Sequence, residues 1–398
     1  MEVEEKKLRR ELDGLELAEY REIFIEVASL YEITDREGKV TQQTFTRFGS
    51  SARTISSGRE FFFARPSLYP GEYAEPEEFP RHDYLFLMKT LKDLRYNIES
   101  GEITLRSFKR KVIVFNDEGL REKEESFVSV KIKEGEVVLR SISADKAPSW
   151  EFLANEFAAR LEERKKAKPL PASGEMKFLI EGAAAAVFVH EVFWHPMELD
   201  YVLQDKSPFS TSDLGTEAFS REVTMYSLGP GVDDEGNEFS SQVIIENGRI
   251  ASFPSSRFTS LISGLPLIPH GRREKYFQPP LVRPFFTAVL PGKESYLDLL
   301  PKIKKGAYIT EISEGELDVE NSWAIFKVAK GFWVENGRAK YPLKPFVLII
   351  PIPLQEGDIF IGAEDFSEEG LFCHKNGQVV RYSSRNPNFL VVGYGKTL

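Results

Sequence analysis

The sequence predicts an α+β fold, in which an N-terminal mixed α/β domain (helix, strands, helix, strands, helix) precedes a β-rich C-terminal domain. Three observations indicate this fold class. The 398 residues are enough for two or three domains, and 41% are hydrophobic, so a sizeable core is available. Helical and alternating patterns follow one another through the first part of the chain. The segment 166–174, KAKPLPASG, then has the composition of a linker, so we expect domains at 1–168 and 169–398.

The elements of the N-terminal domain follow from the spacing of its apolar residues. Leu8, Leu12 and Leu15 recur at helical intervals, and the apolar stretch 23–27 continues that pattern. Elsewhere strand-like alternation is broken by Gly-containing turns. In chain order, the expected elements are a helix at 1–30, short strands at 29–64, a Pro-rich loop at 66–80, a helix at 83–98, strands at 101–143 and a helix at 148–168.

The C-terminal domain is predicted to be mostly β after one buried helix. A strand at 175–180 leads into the Ala-rich run 182–189, which has the composition of a buried helix. A polar Ser/Thr/Asp segment at 201–216 is typical of a lid or a substrate-lining loop. Three hairpin turns and one short helix follow. They are expected at 233–236, 246–248, 335–337 and, for the helix, 296–304.

Composition excludes several classes of protein. The net charge is −10 and no long run of Lys and Arg occurs, which argues against nucleic-acid binding. No apolar stretch reaches about 18 residues, and the N-terminus is charged, so we expect neither a membrane span nor a signal peptide. The single cysteine, Cys373, excludes an intrachain disulfide and favours a cytoplasmic location.

The buried helix leads into His190-Glu191-Val-Phe-Trp-His195, which holds two of the five histidines of the chain. Imidazole is a common zinc ligand, and a neighbouring carboxylate can act as a base on metal-bound water. Histidines five residues apart lie about 140° apart on an ideal α-helix, too far for one ion. We therefore expect a π-bulge, or a helix end that Pro196 favours, at 193–195. The alternative is a buried helix whose histidines only make hydrogen bonds.

Five further residues are candidates for supporting roles. Glu198 and Asp200 are placed to orient an imidazole of the motif, or else to cap the next segment. Arg272, Arg273 and Tyr276 could bind a substrate carboxylate or stabilise an oxyanion. Equally, the two arginines could pin a loop through pairs with carboxylates.

Cys373 is a candidate metal ligand, because a thiolate binds zinc well. A single cysteine is more often a small buried apolar residue, so the residue alone is weak evidence. His374 follows it directly. Adjacent side chains of a strand point to opposite faces, so we do not expect both to bind one ion.

With these residues, the sequence resembles the TldD/PmbA family of metalloproteases, most clearly from about residue 174 onward. Its defining element is H-E-x-x-x-H followed by an acidic pair, here Glu198 and Asp200. Later landmarks of the family occur in order at 233–236, 246–248, 271–276, 335–337 and 373–378. The resemblance implies that His190, His195 and Cys373 are the metal ligands and that Glu191 is the catalytic base. It also implies zinc, with iron as an alternative.

The function that follows is hydrolysis of peptides or unfolded polypeptide segments by a metal-activated water. Family members work as homodimers, or as heterodimers of a TldD-like active subunit and a PmbA-like subunit that lacks the motif. This chain has the motif and therefore resembles the active type. A non-catalytic or regulatory partner subunit is the alternative, although a purely structural metal site needs no base such as Glu191.

Overall fold

The computed structural model describes residues 5–15, 17–66, 81–143 and 149–398. The first part contains three helices and six strands within these ranges. They are α1 (Glu5–Asp13), β1 (Tyr20–Arg36), β2 (Lys39–Ser56), β3 (Arg59–Arg65), α2 (Arg81–Asn97), β4 (Glu102–Asn116), β5 (Gly119–Glu134), β6 (Val137–Ser143) and α3 (Trp150–Lys166). The strands form one antiparallel sheet in the order β3-β2-β1-β4-β5-β6. Helices α2 and α3 pack together on it over a core that includes Leu91, Leu105 and Phe157.

The predicted helix at 1–30 is wrong beyond Asp13, because residues 20–36 form strand β1. Both faces of β1 are buried: Ile23 and Ile25 pack under Leu8 and Leu12 of α1, while the opposite face carries buried Glu22. A strand buried on both faces has no exposed polar alternation, so its periodicity alone does not separate it from a helix. The remaining helices and strands predicted up to residue 166 are confirmed in type and order, although β1 and β2, with 17 and 18 residues, are not the short strands expected at 29–64. The predicted loop at 66–80 lies, from residue 67, outside the described residues.

The second part is β-rich, as predicted. Its helices are α4 (Gly182–Val189), α5 (Leu199–Leu203), α6 (Arg257–Ser263) and α7 (Tyr296–Leu299). Its strands are β7 (Gly174–Ile180), β8 (Met225–Ser227), β9 (Gly231–Val232), β10 (Glu238–Phe239), β11 (Gln242–Glu246), β12 (Arg249–Ile250), β13 (Gly271–Arg272), β14 (Leu281–Val282), β15 (Phe286–Val289), β16 (Lys305–Asp318), β17 (Trp323–Glu335), β18 (Arg338–Pro342), β19 (Phe346–Pro351), β20 (Ile359–Ile361), β21 (Phe366–Lys375), β22 (Gln378–Asn386) and β23 (Phe389–Thr397). The three predicted hairpin turns join β9 to β10, β11 to β12 and β17 to β18. The predicted α+β fold class is therefore confirmed.

Two sheets of the second part hold helix α4 between them. Strands β16, β7, β23, β19 and β17 close into a barrel, because β16 pairs with both β7 and β17. The other sheet has the order β12-β11-β8-β15-β22-β21. Helix α4 packs against β16 of the barrel and against β21 and β22 of the sheet. A helix buried on all sides needs the apolar, Ala-rich sequence that this one has.

The two parts meet through a buried network of charged side chains. Arg273, which follows β13, donates a hydrogen bond to Glu22 of β1, and both side chains are fully buried. Arg53 of β2 donates to Glu22 and also pairs with Glu235 of the 233–237 turn. The predicted domain division at 168/169 stays a prediction. Leu170, two residues after Lys168, is buried in the core of the second part. Among the described residues, no helix is long and apolar enough to cross a membrane.

Candidate metal centre

The backbone changes its helical form within the histidine motif. Helix α4 ends at Val189, a π turn spans His190–Trp194, and a 3₁₀ turn spans His195–Met197. The wider π turn and the change at His195 bring the two imidazole centroids to 4.3 Å from each other. On an ideal α-helix the side chains would lie about 140° apart. The predicted distortion is therefore confirmed, and it turns both histidines toward one point.

Cys373 joins the two histidines from a strand far along the chain. One possible ligand atom from each of His190, His195 and Cys373 lies within 4.8 Å of the other two, and all three residues are buried. The Cys373 Sγ lies 3.6 Å from the His195 Nε2. His374, one position further along β21, is exposed, as the alternation of side chains in a strand predicts.

A buried glutamate, Glu198, binds the ring nitrogen of His195 that does not face Cys373. Glu198 accepts at its Oε2 from the His195 Nδ1, over 2.7 Å, and at its Oε1 from the Trp194 indole N–H, over 2.9 Å. The Lys375 ammonium donates to the same Glu198 Oε2 and to Asp200 Oδ1, over 2.7 Å in both cases. Glu198 therefore fixes the imidazole, whereas Asp200 acts on it only through Lys375.

The thiol of Cys373 lies in a positively charged environment. The Arg283 Nε donates to the Cys373 Sγ over 3.2 Å, and another nitrogen of that guanidinium donates to the Cys373 carbonyl oxygen. Burial alone would raise the pKa of the Cys373 thiol, but the charges of His190, His195 and Arg283 lower this pKa well below its ordinary value. A thiolate is the form of cysteine that binds metals.

One imidazole nitrogen supports a metal site at this point. The His190 Nδ1 is buried and has no hydrogen-bond partner among the described residues. The ring of His190 stacks on Tyr382, with centroids 4.5 Å apart. An unpaired buried polar atom is costly unless something binds it. Two imidazoles and a thiolate are also a donor set that zinc prefers, so these residues fit a zinc ion.

Glu191 lies beside the three candidate ligands. Its side chain is almost fully buried, and this burial raises the pKa of its carboxyl above the ordinary value, against the opposing charges of His195 and His190. A Cβ atom at Gly315 of β16 would lie 2.7 Å from the Glu191 Cγ, so any larger residue there would push against the Glu191 side chain. A carboxyl with a raised pKa is a stronger base than an ordinary carboxylate, as proton transfer from water requires.

The second part of the chain resembles known proteins in sequence. Residues 173–352 match the PmbA/TldA metallopeptidase C-terminal domain family. A metalloprotease of Methanocaldococcus jannaschii is 32% identical over 226 residues, which are 54% of this chain and 49% of that protein. A zinc metalloprotease TldD homolog of Saccharolobus solfataricus is 29% identical over 232 residues, 56% of this chain and 51% of that protein. The chain thus spans about half the length of the curated relatives it matches.

Solved structures share the whole fold. TldE from Thermococcus kodakarensis superposes with a TM-score of 0.71 at 15% identity, covering 98% of this chain and 99% of that one. A Thermotoga maritima protein described as a modulator of a DNA gyrase superposes with a TM-score of 0.67 at 17% identity, with the same coverage. Residues 173–352 of this chain belong to the PmbA/TldA metallopeptidase C-terminal domain family. The resemblance predicted from the sequence is therefore confirmed.

The three residues considered for substrate binding contact groups other than the three candidate metal ligands. Arg273 is fully buried against Glu22 of β1. Arg272 donates to two backbone carbonyl groups, and its guanidinium lies over the Phe285 ring. Tyr276 packs with Phe24, Val112 and Val114 of the N-terminal sheet. This geometry favours the alternative, in which the arginines anchor a loop.

The sequence analysis missed three residues of the candidate metal centre. Lys375 had a usable signal, because alternation in a strand places it on the same face as Cys373. Tyr382 lies on the neighbouring strand β22, where Leu371 is its pairing partner. Arg283 lies just after a two-residue strand, β14, and its sequence surroundings give no pattern that marks it.

Proposed function

We propose that this chain is a metal-dependent peptidase in which His190, His195 and Cys373 hold a zinc ion and Glu191 is the catalytic base. The observation that carries the proposal is the convergence of two imidazoles and a thiolate, distant in sequence, beside a buried glutamate. The names of the relatives, metalloprotease and zinc metalloprotease, support the same reading.

The chemistry follows from the positions of these side chains. A bound zinc ion would act as a Lewis acid on the scissile carbonyl and lower the pKa of a water molecule. Glu191 accepts a proton from the attacking water and returns it to the leaving amine as the C–N bond breaks. Glu198, held by Lys375, keeps the His195 Nδ1 occupied, so that only the Nε2 of that ring faces the cluster.

The substrates we propose are peptides and unfolded polypeptide segments in extended conformation. Strand β16 pairs with β7 only as far as Ile309, whereas its pairing with β17 continues to Asp318. The side of β16 beyond Ile309 thus has no strand partner in the described part of the chain, and Gly315 there lies against Glu191. An extended peptide could add to this edge through main-chain hydrogen bonds, with little dependence on its sequence.

We also propose that the protein works as a dimer, either with itself or with a PmbA-like subunit, as the resemblance implies. Light scattering of the purified chain measures the first case directly. A monomer that becomes active only when a PmbA-like subunit is added would indicate the second case.

Metal content is the experiment that tests the function. Elemental analysis of the protein as purified should find about one zinc per chain, lost in Cys373→Ser and retained in His374→Ala. The second variant is a matched control, because His374 is the neighbour of Cys373 on the exposed face. Glu191→Gln should keep the metal and lose hydrolysis of short unstructured peptides. A folded, never-chelated protein without metal would overturn the enzyme assignment in favour of the partner-subunit alternative.

A further inference from the structure

A tyrosine at the candidate metal centre has no role in the mechanism above. Tyr382 projects from β22 on the same side as Val380 and packs with it and with Cys373. Its ring stacks on the His190 ring, with centroids 4.5 Å apart and planes 16° from parallel. Only 3% of the residue is exposed. The phenol therefore lies within the centre, as a neighbour of one candidate ligand and in contact with the ring of another.

The Tyr382 hydroxyl makes no hydrogen bond with any residue in the described ranges, so its proton is available to a bound molecule. The charged groups that act on it are the Cys373 thiol and the Glu191 carboxyl. It is thus an O–H donor on a ring that stacks on His190 and packs with Cys373, and it has no acceptor among the described residues.

A second tyrosine, Tyr201, stacks on the other histidine, but its ring also contacts a buried ammonium group. The Tyr201 ring lies against His195, with centroids 5.6 Å apart, and the Lys375 ammonium lies 3.8 Å from its ring centroid. The negative charges that act most strongly on Tyr201 are Glu198 and Asp200, which lie behind His195. Tyr201 therefore belongs to the group that supports His195, whereas Tyr382 stacks on His190, the residue that precedes Glu191.

We propose that the Tyr382 hydroxyl donates a hydrogen bond to the oxyanion that develops on the scissile carbonyl. The inference rests on the proposed peptidase function. As water attacks, its oxygen bonds to the carbonyl carbon, Glu191 takes the proton, and the carbonyl oxygen becomes an anion. Tyr382 keeps its own proton and donates to that oxygen until the C–N bond breaks and Glu191 returns the proton to the amine. A donor fixed in place before the reaction stabilises the transition state more than the substrate.

The test is Tyr382→Phe, which keeps the ring stacked on His190 and removes one oxygen atom. We expect kcat for a short peptide to fall about 100-fold, as for other oxyanion donors, with KM within about twofold. A phosphinic peptide, which mimics the tetrahedral intermediate, should bind correspondingly more weakly to the zinc-loaded variant. Zinc affinity, from competition with a chromophoric chelator, should not change. Tyr308→Phe is the matched control, because Tyr308 packs in a separate cluster around Leu179 and Val334.

Four outcomes would overturn the assignment of Tyr382. They are an unchanged kcat in Tyr382→Phe, a loss of zinc affinity that accounts for the loss of rate, an equal loss in Tyr308→Phe, and a loss confined to Tyr201→Phe. If the zinc-loaded wild type hydrolyses no peptide, the proposed function fails instead. Binding of the phosphinic peptide then still decides the role of Tyr382, since equal affinity of wild type and Tyr382→Phe would contradict it.

Discussion

Replacing Lys375 by methionine should damage both the stability of the fold and the metal centre. The Lys375 ammonium is fully buried and donates to Glu198 and Asp200 over 2.7 Å, and to the Val282 carbonyl oxygen over 3.2 Å. Methionine fills a similar volume but leaves the two carboxylates without their cation. Removing one partner of a buried ion pair costs about 3–5 kcal/mol.

For Lys375→Met, the structure favours a loss in the free energy of unfolding near the lower end of that range. Glu198 keeps two other donors, the His195 Nδ1 and the Trp194 indole N–H, so its carboxylate is not left unpaired. We expect the free energy of unfolding to fall by about 3 kcal/mol. Because Glu198 loses the ammonium that helps to fix its position, it holds His195 less rigidly, and metal affinity should fall about 10–100-fold.

Chemical denaturation in the presence of a chelator measures the loss of stability separately from the loss of metal. Chelator competition with the refolded protein then measures metal affinity. Lys327→Met is the control, because the Lys327–Glu314 pair is exposed and should contribute less than about 1 kcal/mol. Adding Asp200→Asn to Lys375→Met should restore part of the stability, since it removes a buried carboxylate that has lost its cation. A Lys375→Met protein as stable as the Lys327→Met control would refute the reasoning.

Three further predictions follow from other contacts. Burial and the charge of Glu364 raise the pKa of half-exposed Glu181 to about 7, so the folded state holds that proton and loses stability as pH rises from about 4.5 to 7. Glu181→Gln should therefore be more stable than wild type by about 1–2 kcal/mol at pH 8, after allowance for screening, and equal to it near pH 4.5; a difference independent of pH in urea denaturation would contradict this. Gly315→Ala should displace Glu191 and reduce the rate of hydrolysis about 100-fold while zinc stays bound. Full activity of this variant would show that the Glu191 side chain accommodates the added methyl group. Arg273→Leu should lower the free energy of unfolding by about 3 kcal/mol, measured by chemical denaturation, because it leaves Glu22 with one cation fewer; a loss below 1 kcal/mol would count against the buried network.

The parts of the centre that could be predicted from the sequence depend on local geometry. The spacing of His190 and His195 required a distortion, and the structure has a π turn there. Alternation in a strand separated Cys373 from His374, and the structure buries the first and exposes the second. Rules of this kind need only the neighbours of a residue along the chain.

The parts that could not be predicted depend on partners far away in the chain. Arg273 meets Glu22 across 251 positions, and Lys375 meets Glu198 across 177. Nothing in the sequence near an arginine distinguishes one that binds a substrate from one that pairs with a distant carboxylate. The same limit applies to β1, whose second face is buried by the 233–237 turn that arrives much later in the chain.

The separation of the candidate ligands also matters during synthesis. His190, Glu191 and His195 leave the ribosome together, but Cys373 lies on a strand made 178 positions after His195. A polypeptide interrupted anywhere between them has the proposed base and two donors, yet lacks the thiolate that completes the proposed ligand set. On the proposed function, an unfinished chain lacks one of the three zinc ligands, so we expect it to hydrolyse no peptide until Cys373 has been made.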